Sequence, residues 1–153
     1  MKLHTLNYSC LLNAPSDRVC DFHTDTANLI RITPPWIDVK IISADLPIQE
    51  KSRIVLKIKR FVLPTLWEME IEKLDTPLTL IDTMVSGPFR YFRHQRHFIP
   101  LENGETLMRE IISFGIPLGW LGDLLFPLIK RDMDQMFEYR HRATQEYFLD
   151  SIS

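Results

Sequence analysis

Two hydrophobic periods divide the chain. Up to about residue 114 apolar side chains recur mostly at every second position, and from Leu125 onward they recur at helical spacing. Leu6, Tyr8, Cys10 and Leu12 alternate with Thr5, Asn7, Ser9 and Asn13, which predicts a strand over roughly residues 3–13. Ala14-Pro15-Ser16-Asp17 then supplies turn and cap chemistry for a short helix with Val19 and Phe22 inward. A second short helix over 26–32 must stop before Thr33-Pro34-Pro35, because a residue preceding proline leaves the α region. Further strands follow over 36–44, 53–60, 65–74 and 78–85. The third of these alternates cleanly, Trp67, Met69 and Ile71 against Glu68, Glu70 and Glu72. Gly87-Pro88 turns the chain into a strand that continues through Phe98, and Asn103-Gly104 is a hairpin signal that returns it over 105–114.

In the last third Leu125, Ile129, Met133, Met136, Phe137, Arg140, Thr144 and Tyr147 form one stripe. Residues 127–149 would give about 35 Å of helix. Pro127 either begins this helix or kinks a longer one that starts near Trp120. His141 and Arg142 are assigned to its outer face. Seven strands joined by short turns predict an antiparallel sheet with one solvated face, wrapped on a long C-terminal helix. The class is α+β.

Composition narrows the options. A chain of 153 residues is read as one domain over 1–153. Its net charge of −2 gives no general attraction to nucleic acid, so none is expected as a partner. Cys10 and Cys20 lack the CxxC spacing and are expected as free thiols. No leader pattern and no apolar run of about 18 residues stands in the sequence, and a cytoplasmic location is expected. The apolar concentration Ile116–Ile129 leaves a transient membrane contact open. No cofactor motif is present, and His94 and His97 fall on opposite strand faces, so no metal site is expected.

Candidate chemistry concentrates in GPFRYFRHQRHF, residues 87–98. Its period places Phe92, His94, Arg96 and Phe98 on one face, an imidazole and a guanidinium between aromatic ends. Charge directed inward requires acceptors or a ligand. Pairing across the Asn103-Gly104 turn puts Glu110 on the same face, and Asp82 shares the phase of Leu80 and Met84. His94, Arg96, Glu110 and Asp82 are therefore expected to meet. An apolar wall is expected from Trp67, Met69, Met84, Phe92, Leu125, Ile129, Met133 and Met136; thioethers suit an accommodating pocket.

The order of elements, together with Ala14-Pro15, Asn28-Leu29, Ile32-Thr33-Pro34-Pro35, Gly87-Pro88-Phe89, Phe92-x-His94 and Met136-Phe137-x-x-Arg140, resembles the START/Bet v 1-like superfamily, also called SRPBCC or polyketide cyclase/dehydrase-like proteins. The resemblance covers nearly the whole chain. It implies a helix-grip fold whose sheet and long helix enclose a cavity for lipids, polyketides or other hydrophobic molecules. Similar sequences often carry Trp at position 92, His at 96 and Asp at 110. The reading that follows is a binder of a hydrophobic or amphipathic small molecule. The alternatives are a cyclase or dehydratase using His94 or Glu110, and a protein-interaction module.

Overall fold

The computed structural model describes residues 1–60 and 63–150. Strand β1 (His4–Leu12) leads to helices α1 (Ser16–Thr24) and α2 (Ala27–Arg31). Six strands follow: β2 (Asp38–Ala44), β3 (Arg53–Arg60), β4 (Leu63–Asp75), β5 (Thr79–Ser86), β6 (Tyr91–Pro100) and β7 (Thr106–Gly115). A one-turn helix α3 (Trp120–Asp123) precedes the long α4 (Phe126–Asp150). Pro127 thus stands in the first turn of α4, where its missing N–H breaks no helical bond.

All strands join one antiparallel sheet in the order β1-β7-β6-β5-β4-β3-β2. Only the β1–β7 neighbours are distant in sequence, so β1 is the far edge of an otherwise sequential meander. Its pairing with β7 is nine residues long and unbroken, from His4 opposite Phe114 to Leu12 opposite Thr106. The solvated face carries the charges that alternation predicted. Arg93 grips Glu72 with two hydrogen bonds of 2.8 and 2.7 Å, and Arg53 donates to Glu68 and Glu70.

Helix α4 crosses the opposite face and lies closest to β1. Tyr8 Oη donates to Asp134 Oδ1 at 2.7 Å, and Gln145 Nε2 donates to the Leu11 carbonyl at 3.2 Å, tying the helix to that edge. Its buried stripe is Met133, Phe137, His141, Thr144 and Phe148.

Buried apolar residues form two clusters, one at each end of α4. One gathers Leu12, Val19, Phe22, Phe98 and Met108 around Phe148. The other gathers Leu6, Ile112, Phe114 and Ile116 around Met133 and Phe137. The strands and helix supply polar groups between them: Glu110 lies between Met108 and Ile112, His94 and Arg96 lie between Phe92 and Phe98, and His141 lies between Phe137 and Phe148. The interior is therefore apolar, polar and apolar in turn along the helix.

The turn from β7 into α4 is close-packed. A Cβ placed on Gly122 would lie 1.9 Å from the Pro117 carbonyl oxygen and 2.8 Å from Ile116 Cγ2. Because the obstacle is backbone, Gly122→Ala is expected to destabilise the fold by about 1–3 kcal/mol, read as a lowered urea midpoint at unchanged slope.

Candidate binding site beneath the long helix

Register decides which inward side chains meet. Across the sheet, Tyr8, Glu110, Arg96 and Leu80 occupy one row, and Leu6, Ile112, His94, Asp82 and Ile71 the next. Residues directly opposite share a face, so Asp82, His94, Arg96 and Glu110 form a block two residues deep on adjacent strands. The hydrogen bonds within it run along the diagonals. His94 Nε2 bonds Glu110 Oε2, and Arg96 Nη2 bonds Asp82 Oδ1.

Helix α4 closes the block from above. His141 Nε2 lies 2.7 Å from Glu110 Oε1, so the carboxylate bridges one imidazole from the sheet and one from the helix. The expectation that His141 faces outward is corrected. It follows Phe137 by four residues and precedes Phe148 by seven, which continues the buried stripe. The spacing was present in the sequence; reading a histidine as a surface residue concealed it. Arg142 is exposed and pairs with Glu138, as its outward assignment required.

Glu110 is 2 % exposed. Burial alone would raise its pKa, but the bonds from His141 and His94, with Arg140 nearby, outweigh this and hold it well below the carboxylate's ordinary value. An ionised Glu110 is acceptor-only, so both imidazoles present Nε2–H to it. Burial, then the neighbouring Arg96, pushes His94 below the ordinary imidazole value, against the pull of Glu110 and Asp82. His23, whose Nδ1 lies 2.8 Å from the Val19 carbonyl oxygen, is pushed down to about 3 by the same two causes. Cys10, half-buried, has its thiol pushed up to about 12 by desolvation and then by the Glu110 carboxylate. At pH 7 Glu110 is therefore ionised while His94 and His23 are neutral.

The depressed groups fix the sign of the pH response. A group whose pKa is lower folded than unfolded stabilises the fold above its unfolded value, and that contribution is lost as pH falls toward the folded value. For His94 and His23 the loss begins below the ordinary 6.5, and for Glu110 below the ordinary 4.5. Unfolding free energy is expected to fall continuously from pH 7 to pH 4, and His94→Gln is expected to flatten the upper part of that slope. Urea titrations at stepped pH measure both.

Arg140 enters the same space from α4. Its guanidinium stands 5.5 Å over the Phe137 ring and within electrostatic reach of Glu110, Arg96 and Asp82. Among the described residues, every buried side-chain nitrogen or oxygen that lacks a hydrogen-bond partner belongs to a guanidinium: Arg140 Nε, Arg96 Nε, and Nε and Nη2 of Arg60. Arg60 Nη2 does lie 2.5 Å from Asp132 on α4, as an ion pair. All these atoms are donors. Composition did not reveal this imbalance, because carboxylates and guanidinia are equal in number at the centre and only the geometry leaves N–H groups over.

Aromatic side chains stand toward the Phe92 end of the block. Trp67 meets Phe92 edge-on at 5.2 Å and Phe89 at 5.7 Å, and Phe89 packs against Phe114 at 5.4 Å. Met69 and Met84 lie opposite each other in register. Met133 is buried, while Met84, Phe92, Ile129 and Met136 are half-buried. Leu125 departs from the expected wall. It is 49 % exposed, because it sits in the turn between α3 and α4 and the helical stripe begins only after it. Phe126 takes the inward place and stacks on His4 at 4.2 Å.

A cleft of about 530 Å³ opens along the flank of α4, lined by Trp36, Asp132, Gln135, Glu138, Tyr139 and Arg142. None of the residues expected from the sequence to line a pocket borders it. At 100° per residue, Met136 and Arg140 lie on α4 between this cleft and the buried stripe. Among the described residues no group of three His, Cys, Asp or Glu side chains is arranged to hold a metal ion.

Comparison with solved structures places the fold. A Thermus thermophilus protein superposes with a TM-score of 0.78 at 17% identity, over 98% of this chain and 100% of its own. The Zhui aromatase/cyclase of a Streptomyces species gives 0.79 at 14% identity, over 99% of this chain and 97% of that one. A START superfamily protein of Mycobacterium smegmatis gives 0.75 at 12% identity, over 98% and 99%. The chain has the START/Bet v 1-like helix-grip fold, as the sequence resemblance implied. No family model and no curated protein matches the sequence.

Proposed function

We propose that this protein binds an amphipathic small molecule, lipid- or polyketide-like, between the concave face of the sheet and α4. Its apolar body lies against Trp67, Met69, Met84, Phe92, Ile129, Met133 and Met136. Its polar end carries acceptor oxygens and is held by Arg140, with Arg96, His94, Glu110 and Asp82 fixing the guanidinia in place. The observation that carries this reading is the pair of buried, unpartnered Nε–H groups of Arg140 and Arg96 beneath the helix. Buried donors are nearly always paired in folded proteins, and a ligand carboxylate or carbonyl supplies the missing acceptors. The fold it shares with proteins described as START superfamily and as an aromatase/cyclase supports a small-molecule role.

Laurate, an apolar tail with a carboxylate head, is the direct probe. Saturable one-to-one binding by calorimetry is expected, with weaker binding of lauryl alcohol. Absence of any heat or thermal shift with either would remove the reading.

A second reading, catalysis by proton transfer, draws on the Glu110 bridge between two imidazoles. Both carboxylate oxygens are engaged and the group is 2 % exposed, so Glu110 would position His94 and His141 rather than touch a substrate. Turnover of an aromatic polyketide mimic by the wild type, lost in His94→Gln, would favour it over simple binding.

A further inference from the structure

The most exposed large apolar side chains share one end of the molecule. Leu63, Leu118, Trp120, Met1 and Leu124 are 76, 73, 72, 71 and 68 % exposed, the five highest values among the large apolar side chains of the described residues. Topology explains their company. The end of β3 and the start of β4, the start of β1, the β5–β6 turn and the segment from β7 into α4 all fall at the same end of the sheet. Leu66, Leu121 and Leu128 extend the same rim, each more than half exposed. A soluble surface does not ordinarily concentrate its largest apolar groups this way.

The linker is built to hold these groups outward. Leu118 has φ 72°, a left-handed conformation that costs a non-glycine residue about 1–2 kcal/mol, and nothing buried rewards it. The segment does not hang loose, because His4 Nε2 meets Asp123 Oδ1 at 2.8 Å and stacks on Phe126.

Charge at this end differs in sign from the chain as a whole. Lys2, Lys59, Arg90 and Arg131 are exposed there. Of the neighbouring carboxylates, Asp38 is exposed opposite Lys59, while Asp123 engages His4, Asp132 engages Arg60, and Asp134 engages Tyr8 and Lys130. A net charge of −2 thus coexists with a cationic, apolar rim.

We infer that this rim docks on the surface of an anionic phospholipid bilayer, with Trp120, Leu118, Leu124 and Leu63 entering the acyl boundary and the cations meeting the headgroups. Apolar insertion and electrostatic attraction together are what interfacial binding requires. No helix among the described residues is long and apolar enough to cross a membrane, so the contact is peripheral. The inference stands apart from the ligand reading, since it uses no residue of the central block.

Sedimentation with phosphatidylglycerol/phosphatidylcholine vesicles tests it. Wild-type protein is expected to pellet with mixed vesicles, less with phosphatidylcholine alone, and less as salt rises. Trp120→Asp with Leu124→Asp is expected to weaken partitioning at least about tenfold, from the apolar area withdrawn. Leu118→Asn tolerates the left-handed backbone, so it separates insertion from folding and is expected to weaken partitioning several-fold at unchanged urea midpoint. Leu46→Asp, distant from the rim, is expected to change nothing. Failure of the wild type to bind mixed vesicles, equal loss with Leu46→Asp, or burial of the rim in a stable dimer by light scattering would each overturn the inference. Laurate binding retained in the rim variants would leave the ligand reading untouched.

Discussion

Glu110→Ala is expected to lower the unfolding free energy by about 3–5 kcal/mol, the range seen when one partner of a buried charged pair is removed. The loss is large because one carboxylate satisfies two donors at once. Without it His94 Nε2–H and His141 Nε2–H are both buried beside Arg96 and Arg140, with nothing to accept them. Glu110→Gln separates the contributions. Its carbonyl still accepts from one imidazole, so an intermediate loss is expected, and the loss of stability below pH 4.5 should become shallower. Urea unfolding at pH 7 and pH 4 measures both variants. A loss under about 1 kcal/mol for Glu110→Ala would mean that the bridge does not organise the interior.

Arg140→Met is expected to behave in the opposite way. Removing a bridging residue lowers stability, but Arg140 Nε lacks a hydrogen-bond partner, so an apolar side chain of similar length there relieves an incompletely paired charge. The unfolding free energy should change by less than about 1 kcal/mol. Laurate affinity should fall by about 10- to 100-fold, the equivalent of a lost charge-assisted hydrogen bond. Lauryl alcohol, which brings no negative charge, should lose much less. Severe destabilisation with unchanged laurate affinity would assign Arg140 to the scaffold instead.

The sequence made the sheet legible because its two faces differ so sharply. Glu68, Glu70 and Glu72 against Trp67, Met69 and Ile71 fix both the existence and the phase of β4, and Asn103-Gly104 fixes the β6–β7 pairing. That pairing brought Glu110 beside Arg96, and the phase of β5 added Asp82. The diagonal choice of partners was not legible. Period-2 reasoning predicts which residues share a face, but hydrogen-bond partners depend on side-chain reach across two strands. An arginine can span to the neighbouring Asp82 while the shorter imidazole takes Glu110. Bulges within β4–β5, between Glu68 and Met69 and between Ile71 and Lys73, were equally invisible.

The helix was read correctly in extent and incompletely in face. Met133 and Phe137 announce the stripe, and His141 continues it by spacing although its residue type alone suggests the surface. Leu125 is the converse case. An apolar residue four positions before Ile129 fits the stripe, but the helix has not begun there. The exposed rim follows from the same limit, since alternation cannot distinguish an apolar side chain facing a core from one facing solvent at a strand end.

The central claim is that a ligand lies between sheet and α4, and methyl NMR locates it directly. Protein labelled at the methionine methyls reports six positions, Met1, Met69, Met84, Met108, Met133 and Met136. Titration with laurate is predicted to shift the signals of Met69, Met84, Met133 and Met136 together, to saturation at one equivalent. Met108, packed in the opposite apolar cluster, should not move. Shifts confined to the exposed Met1, or no saturable shift at all, would contradict the account.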